Sequence, residues 1–191
     1  MKAILTLTMA VVASFPVYSQ SDSLHSFHAV IDSVLRDFPD NLRHITGDLE
    51  LAQGEFENYA STVALPGAEH CIITRWHSVE DTTASWQAQM FKGEDFGAAS
   101  RQYRELFRRL QGCYLKLVDG SVFYLAGDWE PAKEEAAFTT STLRVQTGDE
   151  RYREVKVELE LVYLVTDWAV QINIVSKKRD DAVGGSEEAG R

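Results

Sequence analysis

The sequence predicts an α+β protein: one domain with a mainly antiparallel sheet and two amphipathic helices laid on one of its faces. Three observations carry that prediction. In DFGAASRQYRELFRRLQG, Phe96, Ala99, Tyr103, Leu106, Phe107 and Leu110 recur three and four residues apart, the spacing of one helix face. Leu24, Phe27, Val30, Ile31, Val34, Leu35 and Phe38 repeat that spacing nearer the start. Near the end, Val155, Val157, Leu159 and Leu161 alternate with Glu154, Lys156, Glu158 and Glu160, and Trp168, Val170, Ile172 and Ile174 alternate with Ala169, Gln171 and Asn173. Each of these strands has one apolar and one polar face, as antiparallel strands with one wet side do.

A chain of 191 residues accommodates one domain with a real core, placed here at 22–178. Residues 1–19 read as a secretory signal peptide: Lys2 supplies the positive start, Ala3 to Phe15 a short apolar run, and Val17 and Ser19 the small-residue cleavage positions before Gln20. The expected address is therefore export, periplasmic or secreted. After Ser176 the chain becomes KKRDDAVGGSEEAGR, without periodicity, and 179–191 are expected to be a disordered polar tail.

The first helix is expected over 23–37, capped by Asp22 or Ser23 and stopped by Pro39, because the residue before a proline is pushed out of helical geometry. PDNLRHI adds one helical turn with Gly47 closing it, and DLELAQGEFEN shows no pattern. Strands follow at Tyr59–Leu65, at HCIITRWH and at ASWQAQMF. The second helix spans 95–111, with Asp95 as its cap and Gly112 in the left-handed conformation beyond it. CYLKLV and SVFYLA flank Asp119-Gly120, a strong hairpin signal, and AAFTTSTLRV is a weaker candidate. Thr166-Asp167 is the expected turn between the last two strands. The expected order is helix, three strands, helix, four strands. Phe27 and Phe38 bracket the first helix at the spacing with which Phe96 and Phe107 bracket the second, a faint repeat read as chance agreement between two core-facing stripes, the competing reading being an ancient duplication of a helix-plus-hairpin unit.

Charge excludes some partners. The formal charge is −10, and losing the +1 of Lys2 with the leader makes it −11. Such a surface repels nucleic acid and anionic membranes. The arginines on the outer face of the second helix are the one basic concentration, and read as a solvated face laced with Glu105.

Chemistry-bearing motifs are few. Cys71 and Cys113, in an exported chain, are expected to form one disulfide, the competing reading being two buried small hydrophobes. The five histidines are too scattered for a metal site, and neither a G-x-S-x-G turn, an H-E-x-x-H motif nor a phosphate-binding glycine loop occurs, so no metal, cofactor or catalytic residue is assigned. Trp86 and Trp168 share registers with apolar neighbours and are expected in the core. Trp76 and Trp129 are less committed: Trp129, in GDWEP, is either a binding anchor or a plug at one end of the sheet. The function expected is that of an exported non-enzymatic binding or accessory protein of the cell envelope or extracellular space, with a protein or a small apolar ligand as partner. The alternatives are an acidic secreted inhibitor of a basic hydrolase and a hydrolase working with carboxylate acid/base residues.

Overall fold

The computed structural model describes residues 20–77 and 82–176. The leader expected over 1–19 and the tail expected over 179–191 lie outside the described residues. Helix α1 spans Gln20–Asp37, three residues longer at its start than expected, and a 3-10 turn Phe38–Asp40 follows with Pro39 in its first positions. That turn closes at Asn41 and Leu42, which both adopt positive φ. The expected closing residue, Gly47, instead lies inside the first strand.

That strand, β1 (Thr46–Gln53), forms a hairpin with β2 (Phe56–Ser61) in the stretch that carried no pattern. The expected strand at Tyr59–Leu65 is thus displaced toward the N-terminus. β3 (His70–His77) and β4 (Thr82–Gly93) complete the first half. Helix α2 (Phe96–Gln111) begins as expected, its first turn capped by the Asp95 carboxylate, which accepts the Ala98 N–H at 3.1 Å. Gly112 does not take the left-handed conformation: at φ −84° it stays right-handed, and its N–H bonds to the carbonyls of Arg109 and Leu110.

Among the described residues the second half holds five strands, one at each segment named from the sequence and one more than the expected order counted: β5 (Tyr114–Lys116), β6 (Val122–Gly127), β7 (Phe138–Val145), β8 (Val155–Leu164) and β9 (Asp167–Ser176). The weak candidate AAFTTSTLRV is the full strand β7. Asp119-Gly120 turns the β5–β6 hairpin, with Gly120 at positive φ, whereas the β8–β9 turn falls one residue early, on Val165 and Thr166.

All nine strands form one antiparallel sheet in the order β1-β2-β3-β4-β9-β8-β7-β6-β5. With β5 set aside, each half is a helix followed by a four-strand meander, and the meanders meet at β4 and β9, where Ala88 lies opposite Ile172. The helix stripes correspond as well, but one turn away from the phenylalanine match: buried Phe27, Ile31, Val34, Leu35 and Phe38 have the spacing of buried Ala99, Tyr103, Leu106, Phe107 and Leu110. Phe27 therefore corresponds to Ala99, not to Phe96.

The register read from the last two strands holds. Val157, Leu159, Leu161, Val170, Ile172 and Ile174 are fully buried and join both helices, Ile73, Trp86 and Ala88 in one core. Burial of large side chains of this kind stabilises a fold by about 1.5–3 kcal/mol each. Asp32 ties α1 to the sheet by accepting the Lys116 N–H at 2.7 Å. On α2, Tyr103 meets the Ser141 hydroxyl of β7 at 2.7 Å inside the core, which satisfies two polar groups at once.

Candidate functional site

The core takes one face of the sheet, and among the described residues nothing covers the other. Because side chains alternate along a strand, the bare face collects every second residue of each central strand. Pairing brings them into cross-strand rows: Ile72, Gln87, Asn173, Glu158 and Thr142 form one, and His70, Gln89, Gln171, Glu160 and Thr140 the next. A third runs Thr74, Ser85, Val175, Lys156 and Arg144. The Gln87 amide donates to Asn173 Oδ1 at 2.9 Å, and the Gln171 amide donates to the Glu160 carboxylate at 2.7 Å. Each of these bonds uses one of an amide's two hydrogens and fixes the orientation of the amide along its row.

Over these rows lies an open hollow of about 720 Å³, bounded at one side by Glu55, Trp76 and His77 and at the other by Lys156, Glu158 and Glu160. A second hollow of about 710 Å³ continues past Lys156, lined by Asp128, Thr142, Arg144 and Gln146. Trp76 is 50% exposed, and its ring lies 5.4 Å from that of Phe56, its cross-strand partner. On the other face of these two strands, where Tyr59 packs against the core, Glu57 accepts from the Tyr59 hydroxyl at 2.7 Å and meets His77 Nε2 at 2.9 Å. The Tyr59 bond, followed by the His77 bond, holds the Glu57 carboxyl below its ordinary range, and the same pairing raises the Tyr59 phenol.

Trp129 stands on the opposite side of the sheet. Its ring packs 4.9 Å from Tyr103 and 5.1 Å from Phe107, and the adjacent Glu130 N–H donates to the Ser141 hydroxyl at 2.9 Å. One side of the ring lines a shallow cleft of about 450 Å³ between Arg104 and Arg108. The two tryptophans singled out from the sequence are therefore not brought together. Trp86 and Trp168 lie in the core.

The expected disulfide is corrected. Cys71 and Cys113 are buried free thiols. Cys71 sits on β3, whereas Cys113 lies alongside β6, where its carbonyl accepts the Leu125 N–H at 3.0 Å. Five strand spacings separate β3 from β6, about 24 Å along the sheet, and a disulfide needs Cα atoms within about 7 Å. Burial pushes the Cys113 thiol up to about 12 and raises Cys71 as well. Both thiols are expected to resist alkylation in the native protein and to react once it is unfolded, which intact mass reads directly; a mass change on reduction would restore the bridge. The sign of the pH effect follows. The native state holds the Cys113 proton more tightly than the unfolded chain, so this contribution is full below the ordinary thiol value of 9.0 and is lost as pH rises from there toward about 12.

One cluster carries metal-ligating residue types among the described residues: Asp37, Asp40 and His44. Asp37 is already committed, accepting from His44 Nδ1 with one oxygen and from the His44 and Ile45 N–H groups with the other. Its geometry is that of a buried carboxylate organising the turn after α1.

The residues that make the bare face were legible only as wet positions in ASWQAQMF, VKVELEL and DWAVQINI. Their assembly depends on β4 pairing with β9, across most of the domain. Comparison with protein-family models, curated proteins and solved structures gives no match.

Proposed function

We propose that this chain is an exported, non-enzymatic binding protein of the cell envelope or extracellular space that takes its ligand on the open face of the sheet. The observation that carries this reading is the hollow over β3, β4, β9 and β8, with an aromatic ring standing half-exposed at its side. An exposed tryptophan beside oriented hydrogen-bonding groups has the make-up of a binding hot spot. The carboxylates Glu158 and Glu160 stand in an open trough, and Gln171 donates to Glu160. Acid/base hydrolysis calls for two carboxylates in contrasting environments, and Glu158 and Glu160 share one open trough. Lys156 and Arg144, paired across β8 and β7, interrupt the negative field an inhibitor of a basic enzyme would use.

Export follows from the leader read in the sequence, and the mature protein is expected to begin at Gln20, which N-terminal sequencing checks. The binding reading is tested by immobilising the mature chain and passing envelope extract, both its protein and its glycan fractions, over wild type and Trp76→Ala. Retention by wild type that Trp76→Ala loses is the expected result. Equal retention by both forms, or turnover by wild type in a broad hydrolase screen, would overturn the proposal.

A further inference from the structure

We infer that the ligand of the open face is a neutral oligosaccharide, with one sugar ring stacked on Trp76 and its neighbours hydrogen-bonded along the amide rows; this rests on the binding reading above. Charge argues first. Glu55, Glu158 and Glu160 outnumber Lys156 around the trough, within a chain of net charge −10, so the face repels polyanions and acidic sugars. An apolar ligand fits less well, because between Trp76 and Glu160 the floor mixes Val175 with Thr74, Ser85, Gln87, Gln171 and Asn173, whose amides and hydroxyls such a ligand would cover without pairing.

Those side chains are two-headed or hydroxylic: each amide both donates and accepts, and each hydroxyl does the same. A surface that offers donors and acceptors side by side matches a ligand whose neighbouring hydroxyls also do both. The exposed indole supplies the other half of sugar recognition. The C–H face of a pyranose carries partial positive charge, and the face of an aromatic ring is negative. Phe56, packed against Trp76, holds that ring in place for stacking.

A peptide strand is a poorer fit to this face. Strand addition needs a free sheet edge, and β3, β4, β9 and β8 are each paired on both sides. Recognition here falls to side chains alone. From β3 to β8 the rows cross three strand spacings, about 14 Å, and the hollow past Lys156 extends the trough further. The length suits a chain of several sugar rings rather than a single one.

The test titrates the mature protein with chitohexaose, cellohexaose and maltohexaose, read by calorimetry and tryptophan emission. Saturable binding of at least one is expected, weakened about tenfold or more in Trp76→Ala and in the double variant Gln87→Ala/Asn173→Ala, and largely kept in Trp76→Phe. Trp76 lies outside the core, so Trp76→Ala should melt like wild type, and a thermal scan verifies that each variant is folded. Absence of binding by all three sugars at millimolar concentration overturns the inference, as does equal binding by wild type and Trp76→Ala. If the sugars fail while Trp76-dependent retention from envelope extract persists, the ligand class is wrong and the binding face stands.

Discussion

Gly127→Ala is expected to destabilise the protein by about 3 kcal/mol or more, among the largest effects of any single methyl group added to this chain. Gly127 ends β6 and lies opposite Leu143 of β7. A Cβ built there runs into the Thr142 carbonyl oxygen and lies 2.7 Å from the Leu143 Cα. Both obstacles are backbone, so no rotamer change relieves the clash, and β6 has to draw away from β7. Leu125, buried two residues earlier on the same strand, would lose its packing along with the ladder. Asp128 and Arg144 at the far end of the trough would separate too. For a domain of this size the loss corresponds to a fall in Tm of about 6–12 °C. Gly148→Ala is the control, since nothing lies within 4 Å of its Cβ position, and it should stay within about 0.5 kcal/mol of wild type. Melting of Gly127→Ala at the wild-type temperature would mean that β6 and β7 do not approach as closely as described.

Asp37→Ala comes next, at about 3 kcal/mol. The Asp37 carboxylate is 7% exposed and holds three donors: His44 Nδ1 at 2.5 Å, the His44 N–H at 3.0 Å and the Ile45 N–H at 3.2 Å. Alanine would leave the two backbone donors unanswered at the point where the chain turns from α1 into β1. Asp40, four residues before His44 and exposed, makes no comparable set of bonds, so Asp40→Ala should change stability by less than about 0.5 kcal/mol. The contrast separates a turn-organising carboxylate from a cation site. A chelator should leave the wild-type Tm unchanged, and equal losses from Asp37→Ala and Asp40→Ala, or a Tm that falls on chelation, would make the trio a metal site.

Both of these positions were opaque in the sequence. No local pattern marks Gly127 or Asp37. Their importance comes from what folding brings against them: the β7 backbone in one case, and the turn 41–45 in the other. β1 was missed for a different reason. Leu49 and Leu51 are exposed in an edge strand wet on both faces, so burial imposed no alternation for the sequence to show. The second helix and the register of β8 and β9 were legible because each is set by a local period that burial on one side enforces, and the β5–β6 hairpin because its turn needs the positive φ that Gly120 supplies.

The sequence by itself determined the kinds of element and which face of each is apolar: the stripes of α1 and α2, the alternation in β4, β8 and β9, and the Asp119-Gly120 turn. Those are properties of neighbours a few residues apart, and side-chain period is enough to read them. Tertiary structure alone decided which strands sit together. Pairing β4 with β9 gathered Gln87, Asn173 and Glu158 into one row of the hollow that Trp76 borders, while Trp129 packs against α2 on the opposite side. It also set Cys71 and Cys113 five strands apart, where a bridge that looked reasonable from composition cannot close. Strand order is settled by the packing of the whole core, and no local stretch of the chain carries it.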